Sequence, residues 1–180
     1  MRNFMEAMVK SRLLHGAMPE GFNYCCTEDF VLDRGTVFGS ATLTEEEATI
    51  LFAAVDSLRK RFRQKECFYN AQLLTMWDSS RSLRYAEGYA SGRGFLPVHH
   101  GWVTLNGKVI DLTWRTDKPN HQGRLRDRII GVVPDGWEYM GVHFDRKSIV
   151  ARMMESQEAA AFIGDYRRNF PLFREERRGA

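Results

Sequence analysis

Long apolar runs are missing from this sequence of 180 residues. No stretch approaches the ~20 apolar residues of a membrane-spanning helix, so a membrane is not expected among its partners. The opening residues, MRNFMEAMVKSRLLHGAMPE, hold no unbroken apolar core followed by a small-residue cleavage site, and a secretory leader is not expected either. Cysteine is scarce: three residues, two of them the adjacent Cys25 and Cys26. No Cys-x-x-Cys or Cys-x-x-His pair accompanies them, which argues against a disulfide framework and a zinc site. A reducing cytoplasm is the expected compartment. Excess charge of one sign is also missing, since 26 basic against 23 acidic residues leave a net charge of +3. That balance is too weak to indicate nucleic acid by itself.

What is present is ordinary for a globular chain: 43% apolar and 27% charged residues. The length suits one domain with a sizeable core. The expected layout is a core over about residues 44–145, an N-terminal arm over 1–43 and a C-terminal helix over 146–180.

Arg2 to Leu14 reads as a short helix with Phe4, Met8 and Val9 on one side, stopped by Gly16 and Pro19. Phe22 to Phe38 reads as irregular, with short strands at Phe30-Val31-Leu32 and Thr36-Val37-Phe38 around the turn-like Asp33-Arg34-Gly35. Cys25 and Cys26 read as ordinary thiols, because buried cysteine behaves as a small hydrophobe. Thr44 and Glu47 form a capping box, and Leu51, Val55, Leu58 and Phe62 recur at helical spacing, predicting a helix over Glu45–Phe62. Its basic end (Arg59, Lys60, Arg61, Arg63, Lys65) is read as a solvated helix terminus, with a nucleic-acid patch as the lesser reading.

A second helix is expected from Cys67 to Trp77. A cysteine at a helix start is favoured as thiolate by the dipole and the free N–H groups, and the thiolate is the nucleophile. Asp78, Ser79, Ser80 and Ser82 mark a turn. Leu83 to Ala90 alternates like a strand, in which Gly88 suggests the close approach of another backbone.

Val98 to Leu105 and Lys108 to Trp114 are β-rich runs separated by Asn106-Gly107, the strongest short hairpin signal. If Leu105 pairs with Lys108, then Trp102 faces Asp111 and His100 faces Thr113, all on one side of the hairpin. His100 and Asp111 become diagonal neighbours within reach of a histidine–carboxylate bond. His99 points the other way. The register therefore selects His100 over His99 as a base, and a three-residue loop would reverse the choice; Cys67 is the candidate nucleophile and Asp111 the candidate orienter. Trp102 and Trp114 read as core.

These residues carry a resemblance. The order Cys67-Phe68-Tyr69-Asn70-Ala71, Arg84-Tyr85-Ala86-Glu87-Gly88-Tyr89, His100-Gly101-Trp102 and Ile110-Asp111-Leu112-Thr113 resembles the transglutaminase-like branch of the papain-like cysteine enzymes. It is also similar to small bacterial and phage proteins with the same string. The likeness covers roughly Gln64 to Trp114. It implies an α+β, papain-like core, with the nucleophile helix packed on an antiparallel sheet and flanked by further helices. It also implies a Cys67–His100–Asp111 triad. Gly101 stands where the family usually has alanine, a change expected to be sterically mild. Gln64, Asn70, Gln72, Trp102 and Thr113 are the oxyanion or site-lining candidates, with the Cys67 N–H as a further donor.

Downstream, Arg115 to Gly123 is a polar loop expected to rim the site, and Arg124 to Arg128 reads as charged surface. Ile129 to Val133 and Trp137 to Val142 read as strands. Asp145 and Ser148 cap a last helix through Ile149, Met153 and beyond, with Gly164 as a candidate break and Met153 and Met154 in the core. The tail after Pro171 is charged and expected to fray.

The expected chemistry is acyl transfer or amide hydrolysis through a thioester, by a hydrolase or transferase acting on a peptide or protein with an amide or glutamine group. No metal or organic cofactor is required. The alternatives are a silent transglutaminase-like module that binds a protein, or a nucleic-acid binder using the basic segments.

Overall fold

In the computed structural model, which describes residues 1–16, 18–58, 61–156 and 158–178, helices pack on one antiparallel sheet. The helices are α1 (Arg2–His15), α2 (Thr27–Arg34), α3 (Glu45–Leu58), α4 (Cys67–Trp77) and α5 (Arg146–Ser156). The strands are β1 (Thr36–Val37), β2 (Leu83–Ser91), β3 (Val98–Leu105), β4 (Lys108–Asp111), β5 (Ile129–Gly131) and β6 (Glu138–Phe144). Their order across the sheet is β1-β6-β2-β3-β4-β5. Among the described residues no helix is long and apolar enough to cross a membrane.

Each strand presents two faces because side chains alternate. One face of β2 and β3 carries Leu83, Tyr85, Val103 and Leu105, buried with Leu51, Leu58, Leu74 and Ile149 from α3, α4 and α5. Tyr89 and Met140, further along, are covered by Met5 of α1, Phe30 and Val31 of α2, and Phe173. The other face is aromatic: Trp102 and Tyr139 are buried with Ala86, Ala90, Val109 and Ile129. The chain after β1 crosses this side, where Phe38 packs edge-on against Trp102 and Ala41 N–H donates to the Gly131 carbonyl. The segment after β1 therefore covers part of the aromatic face.

Local signals are realised. Thr44 N–H donates to Glu47 Oε2 at 2.8 Å, and Glu47 N–H donates to Thr44 Oγ1 at 3.2 Å. Asn106 and Gly107 take φ of 50° and 79°, with Leu105 paired to Lys108 across a two-residue turn. A Cβ on Gly88 would stand 2.2 Å from the Met140 carbonyl oxygen, so glycine is what lets β2 and β6 pair here. Asp145 Oδ1 accepts from Ser148 N–H at 2.6 Å and caps α5.

Several expectations are corrected. Phe30-Val31-Leu32 is helical, not a strand. Glu28 and Asp29 favour the first turn, Arg34 the last, and the Phe30–Val31 stripe is buried; this outweighs the β-propensity of the triplet. The helix spans Glu45–Leu58 among the described residues and does not reach Phe62, since Arg61 and Phe62 are not helical; Arg59 and Lys60 lie outside the described residues. β4 stops at Asp111, so His100 and Thr113 do not form a strand pair. The segment 146–180 is not one helix: α5 ends at Ser156, and single turns follow at Tyr166–Arg168 and Pro171–Arg174. Met154 is exposed on α5. The tail is docked, because Phe173 is buried, Arg177 Nη2 donates to Asp29 Oδ2 at 2.6 Å and Arg178 N–H donates to Asp33 Oδ2 at 3.0 Å.

Candidate active site

Cys67 is the first residue of α4. The turn leading into it is held by Asn70, whose Oδ1 accepts from Arg63 N–H at 2.8 Å and whose Nδ2 donates to the Arg63 carbonyl at 2.7 Å. The same Nδ2 lies 3.0 Å from Thr113 Oγ1. One buried amide thus ties the approach to the cysteine to the chain just beyond Asp111.

His100 and Asp111 lie on the aromatic face of the sheet. His100 Nε2 donates to Asp111 Oδ2 at 2.7 Å. That oxygen also accepts from the Tyr139 hydroxyl at 2.9 Å, while Asp111 Oδ1 accepts from the N–H groups of Thr113 at 2.8 Å and Trp114 at 3.1 Å. Four donors fix the carboxylate, and both side chains are all but sealed from solvent. Burial alone would lower the His100 pKa. The charge and hydrogen bond of Asp111, joined by the neighbouring Cys67, overcome it and raise the pKa from 6.5 to about 10. Burial would raise the Asp111 pKa, and His100 with the two backbone donors holds it below the ordinary value.

Cys67 and His100 share a cavity of about 550 Å³ with Gln64, His99, Thr113 and Trp114. The cysteine reaches the histidine from the far side of β3 because Gly101 leaves room. A Cβ at Gly101 would lie 2.9 Å from the Phe68 ring and 3.2 Å from the Phe68 Cα in the first turn of α4. The expected mildness of alanine here is therefore corrected: it would press directly on the helix that carries Cys67.

The remaining candidates separate. Gln64 and Thr113 line the cavity. Asn70 is spent on Arg63 and Thr113. Gln72 is buried and does not line the cavity, its Nε2 donating to the Ala160 carbonyl at 2.8 Å. Trp102 lies in the aromatic core, stacked beside His100 at 6.4 Å between ring centroids. Of the polar loop, Arg115 reaches the cavity wall, and Arg128 joins it while donating to the Thr113 carbonyl. Arg124 instead pairs with Asp56.

Two participants escaped the sequence reading. Tyr139 sits on β6, with two strands between it and Asp111 in the sheet order, and no local pattern pairs them. Glu87 did leave a signal, as a carboxylate in line with Leu83, Tyr85 and Tyr89 on the helix-covered face. It is fully buried, and its oxygens accept from His99 Nε2 at 2.9 Å, the Tyr85 hydroxyl at 2.7 Å, and the N–H groups of Phe162 at 2.6 Å and Ile163 at 2.7 Å. Among the described residues no cluster of three or more His, Cys, Asp or Glu could hold a metal ion. No family model, no curated protein and no solved structure matches the chain.

Proposed function

We propose that this chain is a cysteine-dependent acyl-transfer enzyme or amide hydrolase of transglutaminase-like, papain-like type. The observation that carries the reading is one cavity lined by a helix-start cysteine and by a histidine whose Nε2 is committed to a buried aspartate. The packing of α4 on the antiparallel strands agrees with a papain-like core.

With Nε2 on Asp111, Nδ1 is the ring nitrogen left for Cys67. Against burial, the charge and hydrogen bond of Asp111 raise the His100 pKa and so favour its imidazolium form. In the proposed step His100 takes the Cys67 proton or already holds it as an ion pair, with Asp111 orienting the ring and balancing its charge. The Cys67 sulfur bonds to the carbonyl carbon of a peptide or glutamine amide. The carbon–nitrogen bond breaks, and His100 gives its proton to the leaving amine. Water, or a second amine, loses a proton to His100 and displaces the sulfur, restoring the ion pair. The Gln64 amide and the Cys67 N–H are the donors for the oxyanion.

A second reading, a catalytically silent module that binds a protein partner, draws on the burial of Cys67, which is only 9% exposed. Iodoacetamide labelling of Cys67 across pH, read by peptide mass mapping, separates the two. Labelling that persists below about pH 7 in the native chain and in His99→Ala, and moves toward the ordinary thiol value of about 8.5 in His100→Ala, supports the enzyme. One ordinary profile in all three proteins supports the silent module.

A further inference from the structure

The cavity at Cys67 does not end at Trp114. Val98, Trp114 and Arg115 also wall a second groove of about 530 Å³, completed by Phe95, Leu96 and Trp137. Phe95 and Leu96 are 69% and 72% exposed, large apolar side chains held outside the core. They are held there by an ordered turn. Phe95 N–H donates to the Gly92 carbonyl at 3.0 Å, Gly94 takes a φ of 82°, and Gly92 lies so close to the Trp137 ring that a Cβ would meet it at 2.9 Å. Trp137 is in turn packed edge-on against Trp114 at 5.2 Å. Adjacent exposed apolar side chains on a fixed turn beside a reactive cavity mark a place for an apolar ligand group.

The part of the cavity that does not border this groove is basic. Arg63, Lys65 and Arg128 line it, Arg115 stands between the two spaces, and among the described residues no carboxylate lines the cavity. Three of these cations are engaged: Arg63 with Glu66, Arg115 with Asp127, and Arg128 with the Thr113 carbonyl and Asp127. Lys65, two residues before Cys67 and in the left-handed region at φ 64°, has no ion pair among the described residues.

The geometry points to an extended polypeptide as the acyl donor, with a bulky apolar side chain in the Phe95–Leu96–Trp137 groove and a carboxylate at Lys65, on opposite sides of the reacting amide. This rests on the enzyme reading of Cys67 and deepens it by naming the side chains that flank the reacting amide. A neutral or basic segment would leave Lys65 without a counter-charge.

The test uses Cys67→Ala protein and fluorescein-labelled peptides with a central glutamine, measured by anisotropy. Glu-Gln-Leu and Leu-Gln-Glu cores cover both chain directions. Lys-Gln-Leu with Leu-Gln-Lys, and Glu-Gln-Gly with Gly-Gln-Glu, are their controls. One of the two acidic–apolar peptides should bind at least about tenfold tighter than its own controls, the scale set by burying one leucine side chain. Leu96→Ser should remove the advantage of leucine over glycine, and Lys65→Glu should invert the preference of glutamate over lysine. Both positions are exposed, so folding is not at stake. Equal binding of all peptides, no binding, or affinities indifferent to both substitutions would overturn the assignment. The iodoacetamide profile is independent of these peptides. His100-dependent labelling without peptide preference would sink the cleft and keep the reactive pair; peptide preference without such labelling would mark a binding module.

Discussion

His99 and His100 are neighbours in the chain, yet each is bonded to a different buried carboxylate on a different face of the sheet. His99 Nε2 lies 2.9 Å from Glu87 Oε1 on the helix-covered face, and His100 Nε2 lies 2.7 Å from Asp111 Oδ2 on the aromatic face. Strand alternation makes the separation inevitable. Both histidines still border the cavity at Cys67, because it opens at the start of β3, where Val98, His99 and His100 line it. The pair at Asp111 faces the proposed chemistry, and the pair at Glu87 fastens the C-terminal segment.

Stability should fall on the alkaline side because of His100. Its folded pKa is raised from 6.5 to about 10, so its contribution is full below the unfolded value and is lost as pH climbs through about 10. Asp111 works in the other direction. Its folded pKa is lowered from 3.8, so its contribution is present above that value and is lost as pH falls through the folded one. Asp111→Asn should cost about 3–5 kcal/mol near neutrality, the usual result of stranding a buried charge. It should also shrink the loss between about pH 7 and about pH 10, where unfolded histidine is already neutral. Urea unfolding at a series of pH values measures both. An alkaline limb of equal size in the variant would show that the pair is not its source.

Tyr139→Phe removes one of the two donors to Asp111 Oδ2 and leaves His100 in place. The expected cost is about 1–3 kcal/mol, because a hydrogen bond to a buried charge is lost. Cys67 labelling should still depend on His100. A variant as stable as the native chain would mean that the hydroxyl contributes nothing to fixing the carboxylate.

Glu87→Gln should release the C-terminal segment. Burial alone would raise the Glu87 pKa; the bonds from His99, the Phe162 backbone and Tyr85 outweigh it and keep the carboxyl low. A glutamine would turn an N–H toward donors that now meet an acceptor. Loss of about 3 kcal/mol or more is expected, with faster amide hydrogen exchange at Phe162 and Ile163. Unchanged exchange at those two amides would contradict the fastening role.

Gly101→Ala should push the first turn of α4 away from β3, since the added methyl group meets the Phe68 backbone and ring. Overpacking of this kind costs about 1–3 kcal/mol. The same shift should slow iodoacetamide labelling at low pH by moving Cys67 from His100. Retention of native labelling and stability would show that α4 accommodates alanine without moving.

The sequence by itself determined what depends on residues a few positions apart. The Thr44–Glu47 box set the start of α3, Asn106-Gly107 set the hairpin register, and that register put His100 beside Asp111 and His99 on the other face. Period-two alternation and turn chemistry are local, so they can be read before any packing is known. Tertiary structure decided the rest. Phe30-Val31-Leu32 became helical because its neighbours form a buried face for one helical turn, not for a strand edge. The tail was held because Phe173 and Arg177 meet α2, whose residues lie far back in the chain. Tyr139 on Asp111 and the Phe162–Ile163 amides on Glu87 join residues separated by 28, 75 and 76 positions. Such contacts are selected by the closure of the whole core, which no window of sequence contains.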